Sequence, residues 1–193
     1  MGGKGKQIKR TWHFFMLPDY EKEEQYLSQM AAQGWRFVDT NGFRYTFERT
    51  APEQVAYRID FSGLNTKDRG DYLTMFRDFG WEYLQDINGF SYFRKSTSGV
   101  SSEDLEIFSD NNSRIEMMKR ILQRKMLPLL CIFLSVGVPN TFRCIDLAMD
   151  SRATGFDIAL LIAMLSIMLI YLYIFVHCLR GFHRLKQKYH DGV

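Results

Sequence analysis

The side chains that could do chemistry fall into two groups. His13, Arg44, Glu48, Arg58 and Asp60 lie in aromatic-rich stretches where polar and apolar residues alternate, with Thr46 among them. An imidazole beside carboxylates and guanidinium groups can move a proton or hold an anion or a carboxylate. On strands these residues would share one sheet face and could line a ligand groove, although an ordinary solvated sheet face has the same composition. A lone strand histidine such as His13 is more often structural than catalytic. The second group is Asn140, which interrupts an apolar run, with Arg143 and Asp146, which follow it. There a charge costs about 2.5 to 3.5 kcal/mol at a helix centre, which places it at an interface or in a protein-lined niche.

The signatures of common catalysts are missing. There is no nucleophile with a spaced base, no HExxH and no phosphate-binding fingerprint, and Cys131, Cys144 and Cys178 are scattered without metal-ligand spacing. No metal and no cofactor is called for, and a non-enzymatic role is expected. An enzyme on a membrane-associated substrate, using His13, Arg58 and Asp60, is the alternative that their alternation leaves open.

The elements that must position these residues come in two similar halves. When the chain is slid against itself, Tyr26-Leu27-Ser28 falls on Tyr72-Leu73-Thr74 and Gly34-Trp35 on Gly80-Trp81. One inserted residue later, Asn41-Gly42-Phe43 falls on Asn88-Gly89-Phe90 and Tyr45 on Tyr92. Two units are too few for a solenoid, so a closed domain over residues 11–95 is expected, with copies at about 11–50 and 54–95. Each copy reads strand, helix, strand, strand.

In the first copy, Thr11 to Leu17 is the strand, and the helix carries Tyr20, Leu27, Met30 and Ala31 inward with Glu21, Lys22, Glu23 and Glu24 outward. Gly34 stops that helix, and an Asn41-Gly42 turn closes a hairpin. The second copy has Val55 to Phe61, a helix from about Thr66 to Phe79, and an Asn88-Gly89 hairpin, with Tyr57, Ile59, Phe61, Leu73, Phe76, Trp81, Tyr83, Phe90 and Tyr92 as core. The fold class implied is α+β, a duplicated βαββ two-layer sandwich, ferredoxin-like in spirit, with two helices on one sheet face. Whether the copies share one sheet is not settled by periodicity.

Before this domain, residues 1–10 read as a mobile basic arm without the apolar stretch of a cleavable signal peptide. After it, a Ser- and Asp-rich linker covers 96–112. Ser113 and Glu116 form a capping box for an amphipathic helix over 113–125, whose basic residues suit an anionic lipid surface. A first membrane segment spans 126–149, interrupted by Pro128, Pro139 and Asn140, and an outer loop 150–157 follows. Ile158 to Leu179 then reaches roughly 33 Å as a helix, enough for a bilayer core of about 30 Å.

Charge sets the expected orientation. Arg114, Lys119, Arg120, Arg124 and Lys125 precede the first segment, and Arg180, Arg184, Lys186 and Lys188 lie in the tail, 180–193. The stretch from Arg143 to Asp157, the end of the first segment with the loop, carries Asp146, Asp150 and Asp157 against Arg143 and Arg152. Both termini are therefore expected in the cytoplasm, in a multi-pass protein of the cell membrane. The net charge of +3 hides this asymmetry. Nucleic acid is not an expected partner, because the basic clusters flank apolar segments and the strand aromatics are needed for the core.

The helix "EEQYLSQMAAQGW", the strands "YTFERT" and "VAYRID", the unit "GWEYLQDINGFSYFRKS" and two apolar segments together resemble the bacterial family called domain of unknown function 2812. The resemblance covers residues from about 8 to 180. It implies a bacterial membrane protein, often encoded beside PadR-like transcriptional regulators, and carries over no catalytic residue. The expected role is a membrane-anchored cytoplasmic binding and regulatory module, whose partners are the lipid bilayer and an unknown protein, a regulator or a transporter. An accessory subunit of a transporter complex is the alternative, and self-association into a homo-oligomer stays open.

Overall fold

The computed structural model describes residues 7–61, 68–99 and 111–190. It is an α+β structure in which two small three-stranded antiparallel sheets are followed by helices, two of them long and apolar. The chain divides into a unit ending at Arg120 and a second beginning at Ile121.

In the first unit, β1 (Ile8–Trp12), α1 (Tyr20–Ala32), β2 (Trp35–Thr40) and β3 (Arg44–Arg49) form one sheet in the order β1-β3-β2 with its helix. β4 (Val55–Asp60), α2 (Arg69–Asp78), β5 (Glu82–Ile87) and β6 (Phe90–Ser96) form the other, in the order β4-β6-β5. The strands thus lie in two sheets, and no single ferredoxin-like sheet carries both helices. One physical reason is at the free edge of β4. Ser28 Oγ and Glu24 Oε1, both from α1, accept hydrogen bonds from the N–H groups of Tyr57 at 3.2 Å and Ile59 at 2.8 Å. A helix thereby satisfies the edge that another strand would otherwise pair with.

β1 starts earlier than the aromatic run implies. Ile8, Lys9 and Arg10, read as part of a mobile arm, pair with Glu48, Phe47 and Thr46. The first six residues of that arm, the predicted start of the second helix at Thr66 and most of the linker lie outside the described residues.

Local sequence explains most of the turns. Gly34 has φ +81°, and a Cβ there would lie 2.8 Å from the Thr50 carbonyl oxygen, so glycine serves both the helix stop and the close approach. The two Asn-Gly pairs make different turns. Asn88 and Gly89, at φ 52° and 84°, form the two-residue loop whose twist suits a hairpin. Asn41 instead accepts the N–H groups of Phe43 and Arg44 on its side chain at 3.1 and 2.8 Å, so that loop takes a third residue.

The larger core joins Leu27, Met30 and Ala31 of α1 with Phe37, Tyr45 and Phe47 of the first sheet and Tyr57, Ile59 and Tyr92 of the second. A separate cluster of Ala56, Phe76, Trp81 and Phe93 packs α2 on the second sheet. That sheet is therefore covered on both faces.

In the second unit the helix persists through its prolines. Two wide π turns, Leu122–Met126 and Phe133–Gly137, precede and separate α4 (Leu127–Ile132) and α5 (Val138–Met149). Proline at position i removes the bond to the carbonyl of i−4 and crowds it. For Pro128 and Pro139 those carbonyls belong to Arg124 and Ser135, inside the two π turns, so widening the turn accommodates the ring. Sequence reading takes the prolines as interruptions, whereas the helix bends its hydrogen-bond register and continues. α6 (Gly155–His190) packs on it, with Tyr171 stacked on Phe133 at 4.3 Å and Met168 beside Gly137.

Candidate functional site: a buried carboxylate between two tyrosines

α1 has an apolar stripe at Tyr20, Leu27, Met30 and Ala31, and the step between Tyr20 and Leu27 is filled by Glu23 and Glu24. Helical geometry turns that step inward, and both carboxylates are buried, at 8% and 7% exposure. They do not face water, as their polarity alone leads one to expect.

Glu23 is the centre of the first unit. Tyr45 of the first sheet and Tyr92 of the second each donate a hydroxyl hydrogen bond of 2.7 Å to the same oxygen, Oε1. These are matched tyrosines of the two halves, so one carboxylate bridges both sheets. Burial raises the Glu23 carboxyl above its ordinary range, against the opposing pull of the two hydroxyls. Burial and the Glu23 charge hold both tyrosine hydroxyls well above theirs. Beside them lies a small cavity of about 80 Å3, whose wall includes Tyr20, Glu23, Tyr45, Ile59, Phe90 and Tyr92.

Glu24, next in sequence, has a cation and a backbone donor beside it. Arg58 Nη1 lies 3.6 Å from its Oε2, and the Ile59 N–H donates to its Oε1. Even so, burial outweighs both partners, and its carboxyl is pushed up to about 7.

A third buried carboxylate, Asp60, accepts the Tyr72 hydroxyl on Oδ2 at 2.6 Å. Its Oδ1 has no hydrogen bond and faces Arg120 at 4.0 Å. Arg120 belongs to α3 (Asn111–Ile121), and its Nε donates to the Phe61 carbonyl at 3.0 Å. Burial raises the Asp60 carboxyl, with Tyr72 and then Arg120 opposing. Earlier on the same helix, Arg114 lies 3.8 Å from Glu21. Two of the basic residues assigned to a lipid surface thus engage the domain instead. Ser113, expected as the cap, lies inside the helix, whose described residues start at Asn111.

The face predicted from alternation divides between the sheets. His13 follows β1, its N–H donating to Phe43 at 3.0 Å and its ring 4.3 Å from Tyr26. Arg44 is exposed on β3, and Glu48 lies 3.8 Å from Arg36. Arg58 and Asp60 belong to the second sheet and turn to Glu24 and to Tyr72. Asn140 donates to its own helix, to the Val136 carbonyl at 2.7 Å, while Arg143 and Asp146 are exposed. Ser135 and Ser166 likewise donate to carbonyls of their own helices, which satisfies each hydroxyl locally in an apolar segment.

Among the described residues, no group of three or more His, Cys, Asp or Glu side chains is placed to hold a metal ion. The residues of this candidate site that alternation missed are Glu23, Tyr45 and Tyr92. Their signal was the interrupted stripe of α1 together with the matched tyrosines of the two halves.

The structure defines a class: a small α+β unit followed by helices, of which Ser113–Met149 and Gly155–Gln187 are long and apolar enough to cross a membrane. The chain belongs to the DUF2812 family, described as "Protein of unknown function", which it matches over residues 19–132. Neither the curated proteins nor the solved structures include a match to it.

Proposed function

We propose that this chain is a membrane-anchored cytoplasmic module that binds a ligand or protein partner in its α+β unit and relays that state along α3. The observation that carries the reading is the clasp of Arg120 on Phe61 and Asp60. A helix whose residues continue into an apolar span is held by a buried carboxylate of the folded unit. A partner that changes the surroundings of Asp60 would change the hold on that helix. The identical strand order of the two sheets supports a duplicated scaffold, and the setting beside regulators implied by the resemblance suits a relay.

Both parts are open to experiment. Arg120→Ala in the full chain should speed amide hydrogen exchange over residues 111–120 by roughly tenfold. This is the scale of one hydrogen bond to a charged group on a side chain that is a third exposed. Unchanged exchange would remove the relay. For the anchoring, charge balance places both termini in the cytoplasm, so a reporter that works only outside the cytoplasm should be silent when fused after Gly192. Strong reporter activity would overturn that topology.

The exposed Arg143 and Asp146, set three residues apart on α5, favour a second reading, an accessory subunit of a larger membrane complex that supplies their partners. A photocrosslinker at Phe142 that captured nothing in intact cells would remove it.

A further inference from the structure

We infer that the cavity beside Glu23 binds a small organic cation, an ammonium group carrying apolar substituents. The inference names the ligand class for the binding module proposed above and rests on that reading.

The contrast between neighbouring glutamates carries the argument. Glu23 and Glu24 are equally buried on one helix, but only Glu24 has a guanidinium against it. Glu23 has two neutral donors, both on Oε1, and no hydrogen bond reaches Oε2 among the described residues. A buried carboxylate without a counter-charge either keeps its proton or awaits a cation.

The cavity wall decides between kinds of cation. A hard metal ion such as calcium takes six or more oxygens. Here one acidic residue, Glu23, and three tyrosines share a wall otherwise made of Phe15, Met16, Leu17, Gly42, Ile59 and Phe90. Aromatic faces around a single anionic group are instead the surroundings that attract alkylammonium ions. Tyr20, 3% exposed, is part of the same wall and has Arg114 near its hydroxyl. The volume of about 80 Å3, against the roughly 10–15 Å3 that one water needs on the same measure, leaves room for a small alkylammonium ion.

The same chemistry has two sources, free amines and the ammonium headgroups of lipids. The full chain in mild detergent should be titrated calorimetrically with methylammonium, ethylammonium, trimethylammonium and tetramethylammonium chlorides, with sodium chloride at equal ionic strength as reference. Glycerophosphoethanolamine and glycerophosphocholine form the second arm. Saturable binding in either arm supports the site, and the arm with the tighter ligand identifies the source.

Glu23→Gln, which keeps an acceptor for both tyrosines, should weaken binding at least tenfold. Phe90→Leu, at a half-buried wall position, should weaken it about threefold, the scale of one cation–aromatic contact. No binding in either arm beyond sodium chloride, or unchanged affinity in both variants, overturns the proposal. The α3 exchange test stands apart from that result, so failure of this ligand class and failure of the relay are distinguishable.

Discussion

Phe93→Ala should lower the unfolding free energy of the α+β unit by about 3–5 kcal/mol, the cost of removing a large aromatic side chain from a closed core. Phe93 is fully buried, stacked on Phe76 at 4.3 Å and flanked by Tyr72 and Tyr83 at 6.0 and 5.8 Å. α2 and the second sheet meet at this ring, so the cavity left behind has helix on one side and sheet on the other. Urea titration in detergent, followed by tryptophan fluorescence, measures it cleanly, because Trp12, Trp35 and Trp81 all lie in this unit. Phe14→Ala supplies the control. That ring is 59% exposed and, among the described residues, stacked on Phe43 alone, so its loss should cost below about 1 kcal/mol. Equal effects of the two changes would mean that the Phe76–Phe93 cluster is not a core.

The same residue shows why part of the fold was hidden in the sequence. β6 runs down the middle of its sheet with packing on both faces, so Ser91, Tyr92 and Phe93 are consecutively buried and the two-residue alternation disappears. Alternation finds strands with one wet face, as in β3, where Tyr45 and Phe47 are buried between more exposed neighbours. Features set by short-range chemistry were legible: the apolar stripe of α1, the stop at Gly34, the Asn-Gly hairpins and the apolar helices. Strand partnership was not, because pairing joins residues far apart and depends on which edge α1 occupies. The widened turns before Pro128 and Pro139 were hidden for a related reason, since a proline marks a lost hydrogen bond without saying whether the turn will break or widen.

The candidate centre was illegible for a different reason. Sequence polarity put Glu23 and Glu24 in water, yet their places in the helical repeat point inward. Position prevailed because each carboxylate has buried donors. Chain order alone does not bring Tyr45 and Tyr92, one from each sheet, to the same oxygen. By contrast, His13, Arg44, Glu48, Arg58 and Asp60 were grouped by alternation alone, and strand pairing divides them between two sheets.

Glu24 gives the inward glutamates a measurable signature. Its carboxyl moves from an ordinary 4.5 to about 7, first through burial and against the pull of Arg58 and the Ile59 N–H. In the unfolded chain the proton leaves near the ordinary value, so between pH 4.5 and 7 the folded chain holds a proton that the unfolded one has lost. Stability from this group is complete below about 4.5 and is lost as pH rises through about 7. At about 1.4 kcal/mol for each tenfold change in acidity, the loss across that window is about 3 kcal/mol. Glu23 and Asp60, also raised by burial, slope in the same direction, so the measurement has to be a difference. Glu24→Gln keeps an oxygen for the Ile59 N–H and leaves Arg58, a fifth exposed, able to reach water. Urea unfolding of both proteins at pH 4.5 and 8, read by tryptophan fluorescence, should show a fall in stability that is about 3 kcal/mol smaller in the variant. A fall of the same size in both would mean that Glu24 is ionised throughout, with Arg58 a full counter-charge and burial the weaker influence.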